Sequence, residues 1–321
     1  MTSVGEVVEY FNERYPPGWA EDWDRVGLVA GDPDAPASRA LFVVDCVPET
    51  VEEAVTAGAD MIIAHHPLLL RGVSSVAATT YKGKIIHRLI RSGIALLVAH
   101  TNADVAAPGV SDALAERLGL TGLRPLRPAE GAASGGGRGT GRIGRLPSPM
   151  PLADVAALAA RVLPPTVWGV RAAGDPERVV DTVAVCGGSG DAFLADATAS
   201  GADAYLTADL RHHPASEHIA AGGPALLDAA HWATERPWLD RAAAELTGAV
   251  GIPTQVSDLV TDPWTVQVAS GEPPATATGP GRRAADAPSQ TGRATGPGRG
   301  AAADGPSQTG RKHPPMKEPR P

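Results

Sequence analysis

The sequence predicts an α/β protein made of two similar halves with mixed, mainly parallel sheets, followed by a disordered C-terminal tail. Short aliphatic runs alternate with amphipathic helical stretches, which is the pattern of a parallel sheet covered by helices. The segment VTAGAD at residues 55–60 recurs as TASGAD at 198–203, which indicates an internal repeat. The last 51 residues contain no Val, Leu, Ile, Phe, Trp or Tyr, so they cannot bury a core.

The first predicted half, residues 1–123, begins with an amphipathic helix at 4–14, whose apolar residues recur at helical spacing. Each later aliphatic run in this half predicts a buried strand, and the runs lie at 41–45, 61–64 and 94–99. Helices are expected at 48–56, 84–91 and 110–118. A glycine follows each of these helices closely, as is common at helix ends.

Residues 124–149 are rich in Gly, Arg and Pro, and we expect a linker without chemistry there. The second half, residues 150–269, is predicted to contain strands at 166–172, 179–186, 204–207, 254–257 and 264–269. Its helices are expected at 152–162, 192–199, 214–221 and 238–246. Pro237 favours a last helix that is capped by Thr234, because a proline inside a helix clashes with the preceding turn. Residues 270–321 form the tail.

The charge distribution argues against a nucleic-acid surface. The formal net charge is −8, but residues 271–321 hold eight Lys/Arg and four Asp/Glu, so the chain before them is strongly acidic. Nucleic-acid binding requires clustered basic residues instead. Two distant cysteines, no signal peptide and no long apolar stretch predict a cytoplasmic protein without a membrane span.

Five polar residues predict a metal site. His65 and His66 follow a predicted buried strand, and neutral imidazole is the commonest protein ligand of transition metals. Asp104 follows the next strand, and His231 and Glu235 are four residues apart, so they converge if their segment is helical. With the helix capped at Thr234, His231 lies on the turn before it and is still near Glu235. We place all five at strand ends of one sheet, where α/β proteins bind ligands. Five ligands are too many for one tetrahedral site, so the set predicts two divalent ions about 3.5–4 Å apart. The alternative is a set of unrelated polar residues.

Further candidates are less specific. The segment Gly187-Gly188-Ser189-Gly190 lies between a strand and a helix, where backbone amides can bind phosphate, although a tight turn explains it equally well. In the second copy of the repeat, Asp209 and His213 lie close to the position that His65 and His66 occupy in the first. They are therefore candidates for supporting the metal ligands without binding the metal. His100 is a third candidate for that role, and Asp24 is either a residue of the site or an ordinary loop carboxylate.

Several motifs together resemble those of the dinuclear metal centre hexameric proteins, the GTP cyclohydrolase 1 type 2 homologues. The matching motifs, in family order, are WDRVGL at 23–28, HHP at 65–67, TNAD at 101–104 with GV at 109–110, GGSG at 187–190 and HWATER at 231–236. Arg25 replaces an expected Asn, Ala208 replaces an expected Gly, and the family's optional middle domain is absent. The resemblance implies intertwined α/β halves, metal ligands at the five residues already chosen, and a toroidal homohexamer.

The resemblance also implies a function. We expect a metal-dependent hydrolase that uses a metal-activated water on a small molecule, such as a nucleotide or another phosphoester. The alternative is a non-catalytic, metal-binding or regulatory hexameric scaffold. Mixed nitrogen and oxygen ligands do not distinguish zinc, iron, manganese or nickel.

Overall fold

A computed structural model of the chain describes residues 2–130 and 137–268, which form two sheets flanked by helices. The strands, in chain order, are β1 Gly27–Ala30, β2 Ala40–Val43, β3 Met61–Ala64, β4 Ala95–Val98, β5 Thr121–Pro128, β6 Gly139–Pro151, β7 Val170–Ala173, β8 Val179–Ser189, β9 Ala204–Ala208, β10 Ala225–Ala229 and β11 Thr254–Val256. The α-helices are α1 Val4–Arg14, α2 Pro48–Ala57, α3 Tyr81–Ser92, α4 Thr101–Asp104, α5 Val110–Arg117, α6 Leu152–Val162, α7 Leu194–Ser200, α8 His212–Ala220 and α9 His231–Val250.

The first sheet has the order β1-β4-β3-β2-β11, with only β1 antiparallel to its neighbour. The second has the order β5-β6-β8-β9-β10-β7, in which only β8, β9 and β10 pair in parallel. The predicted mixed α/β fold is therefore confirmed, and β2–β3–β4 and β8–β9–β10 are the parallel strands in the middle of the two sheets. Because β11 follows α9 yet pairs with β2, the end of the second half completes the first sheet, so the halves are intertwined.

The central strands of the first sheet are buried on both faces, which explains why their sequences read as continuous aliphatic runs. Alternate residues point to opposite sides. Ile63 of β3 packs in the cluster that contains Phe11 of α1 and Trp238 of α9. Ile62 packs in the cluster that contains Leu89 of α3. The sheet is thus a rigid layer that holds the residues at its strand ends in fixed positions.

Three local predictions differ from the structure. Most of the expected linker at 124–149 is β5 and β6, which pair with each other, and β6 also pairs with β8. Its Arg142 is buried and pairs with Asp112. The segment 264–268 forms no strand, although 254–256 does. Helix α9 begins at His231, not at Thr234, and Pro237 lies inside it, buried in the core.

The predicted disordered tail and residues 131–136 of the predicted linker lie outside the described residues. Among the residues that are described, no helix is both long and apolar enough to cross a membrane.

Candidate metal centre

The candidate ligands meet where the two sheets present the carboxyl ends of their central strands. His65 and His66 directly follow β3, and Asp104 ends the short helix α4 beyond β4. His231 and Glu235 lie in the first turns of α9, which follows β10 of the second sheet. The ligands therefore come from both sheets, and the expectation of a single sheet was wrong. The internal repeat in the sequence already suggested two related halves that face each other across one site.

Glu235 lies at the centre of this group. Its Oε1 is 3.5 Å from Nε2 of His65 and 3.1 Å from Nε2 of His231, and its Oε2 is 2.9 Å from Nε2 of His66. The spacing of four residues places His231 and Glu235 on one face of α9 because the helix already starts at His231. Asp104 is more peripheral, with Oδ1 3.7 Å from Nε2 of His65.

Each of the three imidazoles is held through its other nitrogen. Nδ1 of His65 donates to the carbonyl oxygen of Ala99 at 2.9 Å. Nδ1 of His66 donates to Asp45 and Nδ1 of His231 to Asp209, both at 2.7 Å. A proton fixed on Nδ1 leaves the Nε2 lone pair free, which is how metal-binding histidines are commonly oriented.

The sequence missed Asp45 as a residue of this site. Its second oxygen accepts a hydrogen bond from Thr261, which ties the strand end to the segment after β11. The available signal was its position directly after the buried β2, which is the position that singled out His65 and His66. Asp209 contacts a candidate ligand as envisaged, and it adopts a left-handed backbone with φ of 58°.

His100 lies beside the group, whereas His213 does not. Nδ1 of His100 is 2.9 Å from Asp24, and its ring packs edge-on against the rings of His65 and His66. Burial would raise the pKa of Asp24, but hydrogen bonds from His100 and Thr101 lower it well below its usual range. Asp24 is therefore a buried partner of His100, not an ordinary loop carboxylate. His213 is exposed in the first turn of α8 and lies against His212, so it is not part of this group.

The charges of the group are strongly coupled. Burial alone would lower the pKa of His66, but Glu235 and Asp45 raise it to about 10. Burial likewise disfavours the charged form of His231, yet Glu235 and Asp209 raise its pKa to about 11. Burial would raise the pKa of Glu235, but the three imidazoles hold it well below its usual range. One buried, negatively charged carboxylate thus faces three imidazoles, and it favours their protonated, positively charged forms.

The geometry fits bound metal ions. Nε2 of His66 and Nε2 of His231 are 3.3 Å apart. Two metal–nitrogen bonds at a tetrahedral angle would place the nitrogens about 3.3–3.4 Å apart. Nε2 of His65 is buried and has no hydrogen-bond partner among the described residues, although a buried polar atom normally has one. Two triads, His66-His231-Glu235 and His65-His66-His100, could each hold a metal ion.

The glycine segment at residues 187–190 allows the backbone to pack closely against side chains of the site, and its contacts do not favour phosphate binding. A Cβ on Gly188 would lie 2.3 Å from Oε1 of Glu235 and 3.0 Å from Nε2 of His231. The amides of Gly187 and Gly188 already donate to Ser111 and Thr234, and the amide of Gly190 donates to a carbonyl of β9. Three of the four amides in the proposed phosphate cradle at residues 187–190 are therefore already used, and glycine is needed at 188 so that the backbone can approach Glu235.

A cavity of about 410 Å³ opens beside His66 and His231. Its wall includes Trp168 and Trp264, which lie outside all the motifs noted in the sequence. Asp45 and Asp209 also line it, so the two imidazoles and their supporting carboxylates face the same space. A volume of this size accommodates a small-molecule ligand.

Comparison with known proteins identifies the family. The model of the Duf34/NIF3 (NGG1p interacting factor 3) family matches residues 2–263. The chain belongs to this family. A GTP cyclohydrolase 1 type 2 homolog of Streptomyces coelicolor is 53% identical over 275 residues, covering 84% of this chain and 96% of that protein. One from Mycobacterium tuberculosis is 37% identical over 373 aligned positions, covering 84% of this chain and 98% of that protein.

Solved structures agree with the assignment to the Duf34/NIF3 family. A Bacillus cereus protein related to NIF3 superimposes with a TM-score of 0.77 at 25% identity, covering 83% of this chain and 99% of that one. A hypothetical protein of Staphylococcus aureus gives a TM-score of 0.75 at 28% identity, with the same coverage. The family resemblance expected from the sequence motifs is confirmed.

Proposed function

We propose that this protein is a metal-dependent hydrolase in which His65, His66, Asp104, His231 and Glu235 hold two divalent ions. The observation that carries the proposal is the arrangement around Glu235. Three Nε2 atoms, each with its Nδ1 fixed by a hydrogen bond, lie within 3.5 Å of the two oxygens of one buried carboxylate. A carboxylate in that position can bridge two ions.

The ligands divide into two overlapping groups. His66, His231 and Glu235 converge most tightly, and they would hold one ion. Nε2 of His65 lies within 3.7 Å of both Glu235 and Asp104, and His65 and Asp104 would hold the second. Three imidazoles and two carboxylates suit zinc, iron, manganese or nickel, so the donor set leaves the metal's identity open.

When bound, such ions lower the pKa of a coordinated water and stabilise negative charge that develops on a substrate. The residues of the chain supply the rest. Asp45 and Asp209 keep His66 and His231 in the orientation that faces the cavity. The cavity beside these two histidines admits the substrate. We propose a nucleotide or another phosphoester as that substrate, which accords with the name of the Streptomyces relative.

The direct test is hydrolysis by the protein loaded separately with zinc, iron, manganese or nickel. Nucleoside triphosphates and a chromogenic phosphodiester would be supplied, and products would be separated by chromatography. We expect turnover that disappears in Glu235→Ala and persists in Asp258→Asn, a variant of an exposed carboxylate. Metal-loaded protein that turns over none of these substrates would favour the non-catalytic scaffold.

We also propose a homohexamer in the cytoplasm. Several apolar side chains are exposed on the described surface, among them Val179, Val260 and Val266, and subunit contacts would cover them. Both cysteines are free and buried, which suits a reducing compartment. Light scattering after size-exclusion chromatography measures the subunit number, and a monomer would contradict the hexamer.

A further inference from the structure

The cavity beside the candidate metal centre has an aromatic wall. The rings of Trp168 and Trp264 contact each other with centroids 5.9 Å apart. The guanidinium of Arg171 lies 4.5 Å from the centroid of Trp168 and pairs with Asp228, so it holds that ring in place. Trp264 remains 59% exposed, which is unusual for so large an apolar side chain. An exposed, supported indole is a surface on which a flat ring can stack.

The same wall carries one unpaired donor and one unpaired acceptor. The indole N–H of Trp168 and Oδ2 of Asp262 are buried, and neither has a hydrogen-bond partner among the described residues. Both residues line the cavity. Burial, together with the nearby carboxylates of Asp209 and Asp45, raises the pKa of Asp262. A ligand N–H that donates a hydrogen bond to Asp262 would offset the cost of burying this carboxylate without a partner, because buried polar groups are normally paired.

We propose that this cavity binds a flat heterocycle with a lactam edge, meaning a carbonyl next to a ring N–H. The ring would lie against Trp264, the lactam carbonyl would accept from Trp168, and the lactam N–H would donate to Asp262. Hypoxanthine and guanine present such an edge, whereas unsubstituted purine does not. The inference rests on the proposed function, because the cavity opens on His66 and His231, and it adds the part of the substrate that is recognised.

Binding to the protein purified with its metals tests this separately from catalysis. Isothermal titration calorimetry would compare inosine 5′-monophosphate, purine riboside 5′-monophosphate and ribose 5-phosphate. The first two differ in the lactam edge, and the third lacks the ring. We expect inosine monophosphate to bind about tenfold or more tightly than purine riboside monophosphate, the range for a hydrogen bond to a charged group. Because of stacking, both ring ligands should bind about tenfold more tightly than ribose 5-phosphate.

Matched variants assign the contacts. Asp262→Asn should weaken the binding of inosine monophosphate about tenfold and leave the binding of purine riboside monophosphate unchanged. Asp258→Asn, in the same segment and exposed, should change neither. Trp264→Ala should weaken the binding of both ring ligands, and Trp264→Phe should restore it. Tyr81→Ala, which removes an exposed aromatic ring elsewhere, should have no effect on binding.

Equal affinities for the three ligands, no binding of inosine monophosphate, or equal effects of the two aspartate variants would overturn the lactam site. Hydrolysis that continues in the metal-loaded protein would then leave the proposed function standing. Conversely, ring-selective binding without any hydrolysis would contradict the hydrolase and keep this binding site.

Discussion

In both halves, three parallel strands deliver polar side chains from their carboxyl ends, namely β2, β3 and β4 in one half and β8, β9 and β10 in the other. Beyond β4, His100 and Asp104 are four residues apart, as His231 and Glu235 are beyond β10. In each half an aspartate holds the histidine through Nδ1, Asp24 for His100 and Asp209 for His231. The two aspartates come from different places in the fold, Asp24 before β1 and Asp209 after β9, yet they hold the two histidines in the same way.

The halves differ in what surrounds these pairs. Glu235 is buried among three imidazoles, whereas Asp104 faces His65 at a longer distance. Burial raises the pKa of Asp104 against the influence of the histidines, while the pKa of Glu235 is lowered. The second half also supplies Trp168 to the cavity. A common scaffold therefore places equivalent side chains, and their burial and partners determine which one becomes central.

The largest effect should distinguish the two carboxylates. Glu235→Ala should abolish binding of both ions, because Glu235 contacts the ligands of each group. Asp104→Ala should retain one ion, because the group of His66, His231 and Glu235 stays intact. Metal content after dialysis, measured by elemental analysis of folded protein, checks both. Equal losses in the two variants would contradict the asymmetry between the halves.

A substitution at Gly188 tests whether the close approach of the backbone keeps Glu235 in position. Gly188→Ala should lower metal affinity by about tenfold or more, because its Cβ would displace Glu235. Gly201→Ala is the matched control, since Gly201 also has a positive φ but its Cβ would meet nothing within 4 Å. Both variants should lose about 1–2 kcal/mol of stability from backbone strain. Competition titrations with a metal indicator measure the difference, and similar affinities would refute the packing role.

The raised pKa values predict a pH effect on the metal-free protein. The pKa of His66 is about 10 when folded, against about 6.5 in an unfolded chain. The native state therefore binds more protons between these values, and its unfolding free energy should fall as pH rises from 7 to 10. The slope is at most about 1.4 kcal/mol per pH unit for each such imidazole. Urea unfolding at pH 7 and 9.5 measures it.

Metal-loaded protein should lose this slope, because an imidazole that binds metal is already deprotonated. His66→Gln should reduce the slope in the metal-free form. A metal-free protein whose stability rises over this interval would contradict the charge arrangement around Glu235.

The effects of the aspartates that hold the histidines should be graded, and the smallest should come from Asp24. Asp45→Asn and Asp209→Asn should each weaken metal binding about 10–100-fold, the usual effect of losing such a partner. Asp24→Asn should have a smaller effect, because Asp24 holds His100, which is not among the proposed ligands. Indicator competition compares the three variants. An effect of Asp24→Asn as large as the other two would add His100 to the ligand set.

The sequence was sufficient where local patterns determine structure. The aliphatic runs that became β2, β3 and β4 are buried on both faces, so each is recognisable alone. His65, His66 and His231 follow such runs directly, which made them visible as candidates. The repeat in the sequence also corresponds to real equivalence between the halves.

Other features depend on contacts between distant residues, which composition does not show. Arg142 looked like part of a linker, yet Asp112 and backbone carbonyls bind it inside the core. Pro237 suggested a late helix start, but α9 accommodates it where it packs in the interior. Trp168 and Asp262 gave no local signal, because their roles arise from the shape of the cavity that they line.

The most direct test of the central claim is the metal content of protein purified without chelators. Elemental analysis by mass spectrometry would count transition-metal ions per chain, with amino-acid analysis giving the protein concentration. The five-ligand site predicts about two ions per chain, falling to none in Glu235→Ala that remains folded. No transition metal, even after reconstitution with zinc, iron, manganese or nickel, would mean that the histidines at the strand ends are structural, and the proposed hydrolase would be refuted with them.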